Sequence, residues 1–124
     1  MAGTTPAFTL AHADDLGWKL DIPAPIDPRR SGILEWRIEG DGCAIVRASV
    51  IVRTIQQYED SVWRLRQGLP HRVGAYRGIH HVLGAAADAG AAVTLTALEN
   101  CDAADLAARK RHWVAIRGTR DGAG

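Results

Sequence analysis

The sequence predicts an α+β fold, with a small, mainly antiparallel three-stranded sheet flanked by helices in the order β-β-α-α-β-α. Three observations predict it. Leu34, Trp36 and Ile38 alternate with Glu35, Arg37 and Glu39, the period of a half-buried strand. Ile55, Tyr58, Val62 and Leu65 recur at spacings of three, four and three, which puts them on one helical stripe. Strands and helices then follow one another without strict β-α-β alternation, which favours helices covering a small sheet over a doubly wound one.

Each element has a local reason. The first strand covers 33–38, and Gly40-Asp41-Gly42 turns it into a hairpin with a longer-than-minimal loop. The second strand covers 43–47. Residues 50–52 are β-branched, so the first long helix is expected only after them, over 54–67. Gly68 and Pro70 stop it. A second helix is expected over 76–89 with Ile79, Val82, Leu83 and Ala86 inward, ending at Gly90. The run 93–98 carries three β-branched residues and reads as a strand. Asp102 is the expected N-cap of a last helix that carries Leu106, Trp113 and Ile116.

With 124 residues and 47% apolar content, the chain fits one domain with one core. Residues 1–31 form a lead segment expected to pack on that core through Leu16 and Trp18, with a short helix within 11–18. Pro23, Pro25 and Pro28 keep the rest of it irregular. The domain proper covers 32–118, and 119–124 is expected to be a flexible tail. No apolar run is long enough to cross a membrane, and residues 1–10 lack the pattern of a signal peptide. The cytoplasm is the expected location. Cys43 and Cys101 have no CxxC or histidine spacing, so free thiols are expected rather than a zinc site.

Net charge is only +1, but it is unevenly spread. Between Cys43 and His80 lie six arginines against Glu59 and Asp60. A basic middle on a near-neutral chain suits a local phosphate-binding face, and a solvated arginine surface is the plain alternative.

The motif order from Gly32 to Arg117 resembles the GIY-YIG nuclease superfamily. Trp36-Arg37-Ile38 stands where that family has Tyr-x-Ile, and Ala44-Ile45-Val46 stands at Tyr-Ile-Gly. Arg47 follows where some members have lysine. Leu98-Glu99 resembles the Leu-Glu pair ending the third strand, and Arg109-Lys110-Arg111-His112-Trp113-Val114 resembles the Arg-Glu-x-x-Trp-Ile stretch. The resemblance implies phosphodiester hydrolysis in which tyrosine positions water, an arginine stabilises charge on the phosphate, and a glutamate holds Mg²⁺ or Mn²⁺. The helix allows two registers. One puts Tyr58 at the family's His-or-Tyr position and Thr54 at its arginine. The other gives Arg53 the arginine role and leaves Gln57 at the His-or-Tyr position. An adjustment at the helix start that brings Arg53 and Tyr58 to one cleft reconciles them.

The departures set the functional expectation. Lys110 occupies the glutamate position, and no acidic residue lies between Asp105 and Asp121. An ammonium has no lone pair for a metal. The expectation is a GIY-YIG-like domain without metal-dependent cleavage, a pseudoenzyme with no resident metal or cofactor. It would act as a nucleic-acid-binding or regulatory module. DNA or RNA backbone would be held by Arg47, Arg53, Arg64, His71 and Arg72. The alternative is an active DNA endonuclease with a rearranged site, using Arg53 and Tyr58 with Glu99 as a substitute ligand for Mg or Mn. A second alternative is a protein-interaction or immunity-type module that meets a protein partner. His80 and His81, about 100° apart on a helix, are not expected to share a metal, and one is expected at a solvent-facing edge. His71, in a loop, suits phosphate contact or a base role. Trp36 and Trp113 are expected in the core, with Trp63 more exposed.

Overall fold

The computed structural model describes Phe8, residues 10–117 and the pair Arg120–Asp121. Its elements run α1 (Ala13–Leu16), β1 (Trp18–Asp21), β2 (Gly32–Ile38), β3 (Gly42–Ala48), α2 (Ile51–Arg66), α3 (Gly78–Asp88), β4 (Val93–Asn100), a 3-10 turn (Ala103–Asp105), α4 (Leu106–Arg117) and the two-residue β5 (Arg120–Asp121). The expected flexible tail and residues 1–7 lie outside the described residues, apart from that last pair. Among the described residues no helix is long and apolar enough to cross a membrane.

The fold is α+β, but the sheet is mixed and larger than three strands. Its order is β1-β4-β2-β3-β5. The expected antiparallel trio forms the centre, with β2 between β3 and β4. Strand β1 then joins the outer edge of β4 in parallel, Trp18 opposite Val93 and Leu20 opposite Leu95. On the other side, β5 lies parallel to β3. The fourth strand, β1, carries the period-2 signal Trp18-Lys19-Leu20-Asp21, but only four residues long, and its partner lies some seventy residues away in sequence. Local pattern cannot supply such a pairing.

The hairpin closes with Ile38 opposite Gly42, a three-residue loop over Glu39, Gly40 and Asp41. At the other end of β2, Gly32 passes so close to β4 that an added Cβ would collide with the Glu99 carbonyl oxygen and press on Ile51. The close approach there calls for glycine, and the register slips just beyond it, between Ile33 and Leu34.

Helix α2 begins at Ile51 rather than after the β-branched run. The reason is tertiary. The Ile51 and Val52 N–H groups donate to the Arg30 and Pro28 carbonyls at 2.9 and 2.7 Å, so two of the four orphan donors of the first turn are satisfied by the lead segment. The same segment is tied to β4 by Asn100. Its side chain accepts from the Asp27 N–H at 2.7 Å and donates to the Asp27 and Ser31 carbonyls. Leu16, Trp18 and Ile22 sink into the core. Helix α3 starts two residues later than expected, at Gly78, and leaves Tyr76 and Arg77 in the preceding loop. Asp102 does not cap a helix with its side chain; it precedes the 3-10 turn.

The two faces of the sheet differ. Leu34, Trp36, Ile38, Ala44, Val46, Val93 and Leu95 share one face and pack under α2 and α3 against Ile51, Ile55, Val62, Ile79 and Leu83. Alternation turns Ile33, Glu35, Ile45 and Arg47 to the opposite face, where α4 lies across β3 and β2. Ile33 and Ile45 are fully buried there, beside the buried Glu35, and the one buried residue of α4 is Lys110.

Candidate functional site

A cavity of about 420 Å³ opens between α2, the start of α3 and the loop joining them. That size lies within the range of small-ligand pockets. Helix α2 supplies Gln57, Tyr58, Asp60 and Ser61, the loop supplies His71, Arg72 and Arg77, and α3 supplies His80.

Tyr58 sits on the buried stripe of α2 with Ile51, Thr54, Ile55 and Val62. Its ring stacks on Trp36 of β2 with centroids 5.3 Å apart and planes 15° from parallel. Trp36 in turn meets Trp18 edge to face. The phenol is therefore held from below by the core. From above, the Arg77 guanidinium donates to its oxygen at 2.8 Å and lies 5.5 Å from the ring centre. Burial pushes the Tyr58 pKa up, and the adjacent Arg77 only partly offsets this. The group stays a neutral phenol at neutral pH, so it is not a base.

The loop is pinned at several points. Arg72 grips the Asp60 carboxylate with two nitrogens at 2.7 and 3.1 Å. Arg64 donates to the Pro70 carbonyl at 3.0 Å, and the Tyr76 hydroxyl donates to the Leu69 carbonyl at 2.7 Å. His71 Nδ1 accepts the N–H groups of Val73 and Gly74 at 3.3 and 3.1 Å. An imidazole nitrogen that accepts bears no proton, so the proton of neutral His71 resides on Nε2 and points to Ser61 Oγ at 3.3 Å.

His80 follows the same logic. Its Nδ1 accepts the Arg77 N–H at 3.0 Å, which assigns the proton to Nε2. Burial, then the positive charge of Arg77, pushes its pKa down to about 4, so the ring is neutral at neutral pH. Only 3% exposed, it lines the cavity with Nε2–H free of a hydrogen-bond partner among the described residues. Arg77 has no carboxylate partner among them either. The lining thus offers donors: the Arg77 guanidinium, the His80 Nε2–H and the Ser61 hydroxyl. The one carboxylate, Asp60, is taken by Arg72.

The expected site residues separate. Tyr58, His71 and Arg72 come together around the cavity. Arg64 holds the loop. Arg53 is exposed on the first turn of α2 and does not line the cavity, although Gln57, four residues on, does. Arg47 is exposed and turned toward the opposite face of the sheet. Glu99 pairs with α4, accepting from Arg109 Nε at 2.6 Å and Trp113 Nε1 at 2.7 Å, and it makes no bond to Arg53 or Tyr58. Burial raises the Glu99 pKa, but those two donors outweigh it and hold the carboxyl below its ordinary value. Trp36 is fully buried and Trp113 half-buried, while Trp63 is half-buried and stacked on His12. His81 is the exposed member of the histidine pair. Neither Cys43 nor Cys101 is in a disulfide. Among the described residues no group of three His, Cys, Asp or Glu side chains is placed to hold a metal ion.

Arg77 and Ser61 are functional candidates that sequence reasoning did not single out, and it weighed His80 only with His81 as a metal pair. One signal existed for His80: with Ile79, Leu83 and Ala86 it falls on the buried side of α3, where a polar residue demands a reason. Compared with known proteins, the chain matches no family model, no curated protein and no solved structure.

Proposed function

We propose that this chain is a nucleic-acid-binding module, a GIY-YIG-like domain that holds phosphate in the α2–α3 cavity without cutting. One observation carries the reading. Backbone N–H groups occupy Nδ1 of both His71 and His80, so both rings present protons rather than lone pairs. Beside them stands a guanidinium with no carboxylate partner among the described residues. Such a site suits an acceptor-only, anionic group, and it offers no free base to activate water. The order β-β-α-α-β-α from β2 to α4, with Lys110 on the helix that carries glutamate in the family, agrees with a domain of that kind. No observation favours the endonuclease alternative, since Glu99 is engaged by Arg109 and Trp113.

The test is retention of labelled single- and double-stranded DNA and RNA by the purified protein at low and high salt, with Mg²⁺ and Mn²⁺ present and cleavage scored in the same tubes. The expected result is retention that weakens steeply with salt, weakens further in Arg77→Gln, and leaves the strands intact. Metal-dependent cutting would overturn the reading. Absence of retention at any salt would turn it toward a protein partner.

A further inference from the structure

The dimensions and donors of the cavity narrow its ligand beyond nucleic acid in general. A volume of about 420 Å³ takes a ligand of small-molecule size, such as one nucleotide, and a duplex remains outside it. His80 is 97% buried, which follows from its 3% exposure. An anion reaches its Nε2–H only by entering. An internal phosphodiester carries chain on both sides, and only two of its oxygens are free of ester bonds. A terminal phosphomonoester is attached on one side. It presents three free oxygens with about −1.5 to −2 charges at neutral pH. The lining holds several donors for those oxygens, Arg77, His80 and Ser61 among them.

The approach to the cavity favours a strand over a small phosphorylated metabolite. Arg53 precedes Gln57 by four residues on α2, and Gln57 lines the cavity. Residues four apart share a helix face, so Arg53 stands about 6 Å of helix rise along the face that leads to the rim. It is exposed and pairs with no carboxylate among the described residues. A second cation outside the mouth serves a second phosphate.

We propose that the cavity receives the phosphorylated end of a single-stranded nucleic acid, with Arg77, His80 and Ser61 on the terminal phosphate and Arg53 on the next one. This rests on the nucleic-acid reading above, and the experiment separates the two. Fluorescence anisotropy is measured on the full chain with internally labelled single strands of one sequence, ending in a 5′-phosphate, a 3′-phosphate or hydroxyls at both ends. The duplex form and a phosphoserine peptide are run alongside. One phosphorylated end should bind about tenfold tighter than the hydroxyl-ended strand, the scale of one added charge-assisted hydrogen bond. Arg77→Gln should bring the two within about twofold, and Arg53→Gln should weaken both strands together. Arg111→Gln, on the exposed side of α4, should change neither. A thermal melt of each variant separates lost folding from lost binding. Equal binding of phosphorylated and hydroxyl ends would overturn the end preference and leave the nucleic-acid reading standing. Tighter binding of the duplex would overturn it likewise. Binding of the phosphopeptide but of no strand would overturn both.

Discussion

The two faces of the sheet are held by different physics. Under α2 and α3 the contact is apolar: Trp36, Leu34, Val46 and Leu95 meet Ile55, Val62 and Leu83, all nearly or fully buried. Under α4 the contact is largely electrostatic. Glu35, nearly buried, lies 3.4 Å from both Arg37 and Arg117. Glu99 accepts from Arg109 and Trp113, and the one buried residue of the helix is a lysine. The apolar face holds a neutral histidine and a neutral tyrosine beside a charged arginine because burial disfavours their charged forms. The polar face spends its charged groups on docking α4. The ligand site is therefore expected on the first face, and sensitivity to salt on the second.

The largest effect should come from the bed of the cavity. Trp36→Ala removes a fully buried indole that Tyr58 and Trp18 both contact, and should cost about 3–5 kcal/mol of stability. A urea titration reads it, and a loss under about 1 kcal/mol would mean the stack does not support the site.

Acid should come next, and it separates the faces by pH. His80 is held at about 4 against an ordinary value of 6.5. The unfolded chain takes up that proton first, so the stabilising contribution is complete above pH 6.5 and is lost as pH falls from there toward 4. A loss of about 3 kcal/mol is expected across that window, read by urea titrations at several pH values. Glu99 acts lower. Its folded pKa lies below 4.5, so its contribution is present above the unfolded value and is lost only as pH drops further. A stability profile flat between pH 6.5 and 4.5 would contradict the buried neutral histidine.

Smaller effects belong to the charged face. Glu99→Gln keeps an acceptor for Trp113 but removes the charge facing Arg109, a half-exposed pair. It should cost about 1 kcal/mol at low salt and less at high salt, whereas Trp36→Ala should cost the same at both. Smallest is Arg72→Ala. Its ion pair with Asp60 is solvent-exposed, and the change should cost about 0.5 kcal/mol while loosening the cavity wall.

The apolar face was largely legible in the sequence, because Leu34-Trp36-Ile38 and Ile55-Tyr58-Val62 each write their period locally. The antiparallel trio and its hairpin followed from those patterns and the Gly40-Asp41-Gly42 turn. Strand β1 was not legible, since four residues of alternation have no meaning until β4 lies beside them. Helix α2 starts before the point its local pattern predicts because the carbonyls that satisfy Ile51 and Val52 come from Arg30 and Pro28, outside any local window. At the site, Tyr58, His71 and Arg72 stood out by residue type. Arg77, His80 and Ser61 acquire their meaning from hydrogen bonds, namely which ring nitrogen a backbone N–H occupies and which guanidinium lacks a carboxylate. Composition does not carry that information.

The contrast between the faces is tested most directly by amide chemical-shift mapping of the labelled protein against a short single strand bearing a terminal phosphate. The shifts are expected at Gln57, Ser61, His71 and the start of α3 from Gly78 to His80, and they should fade in Arg77→Gln. Shifts centred instead on α4, from Arg109 to Arg117, with the cavity residues unmoved, would contradict the assignment of the binding site to the apolar face.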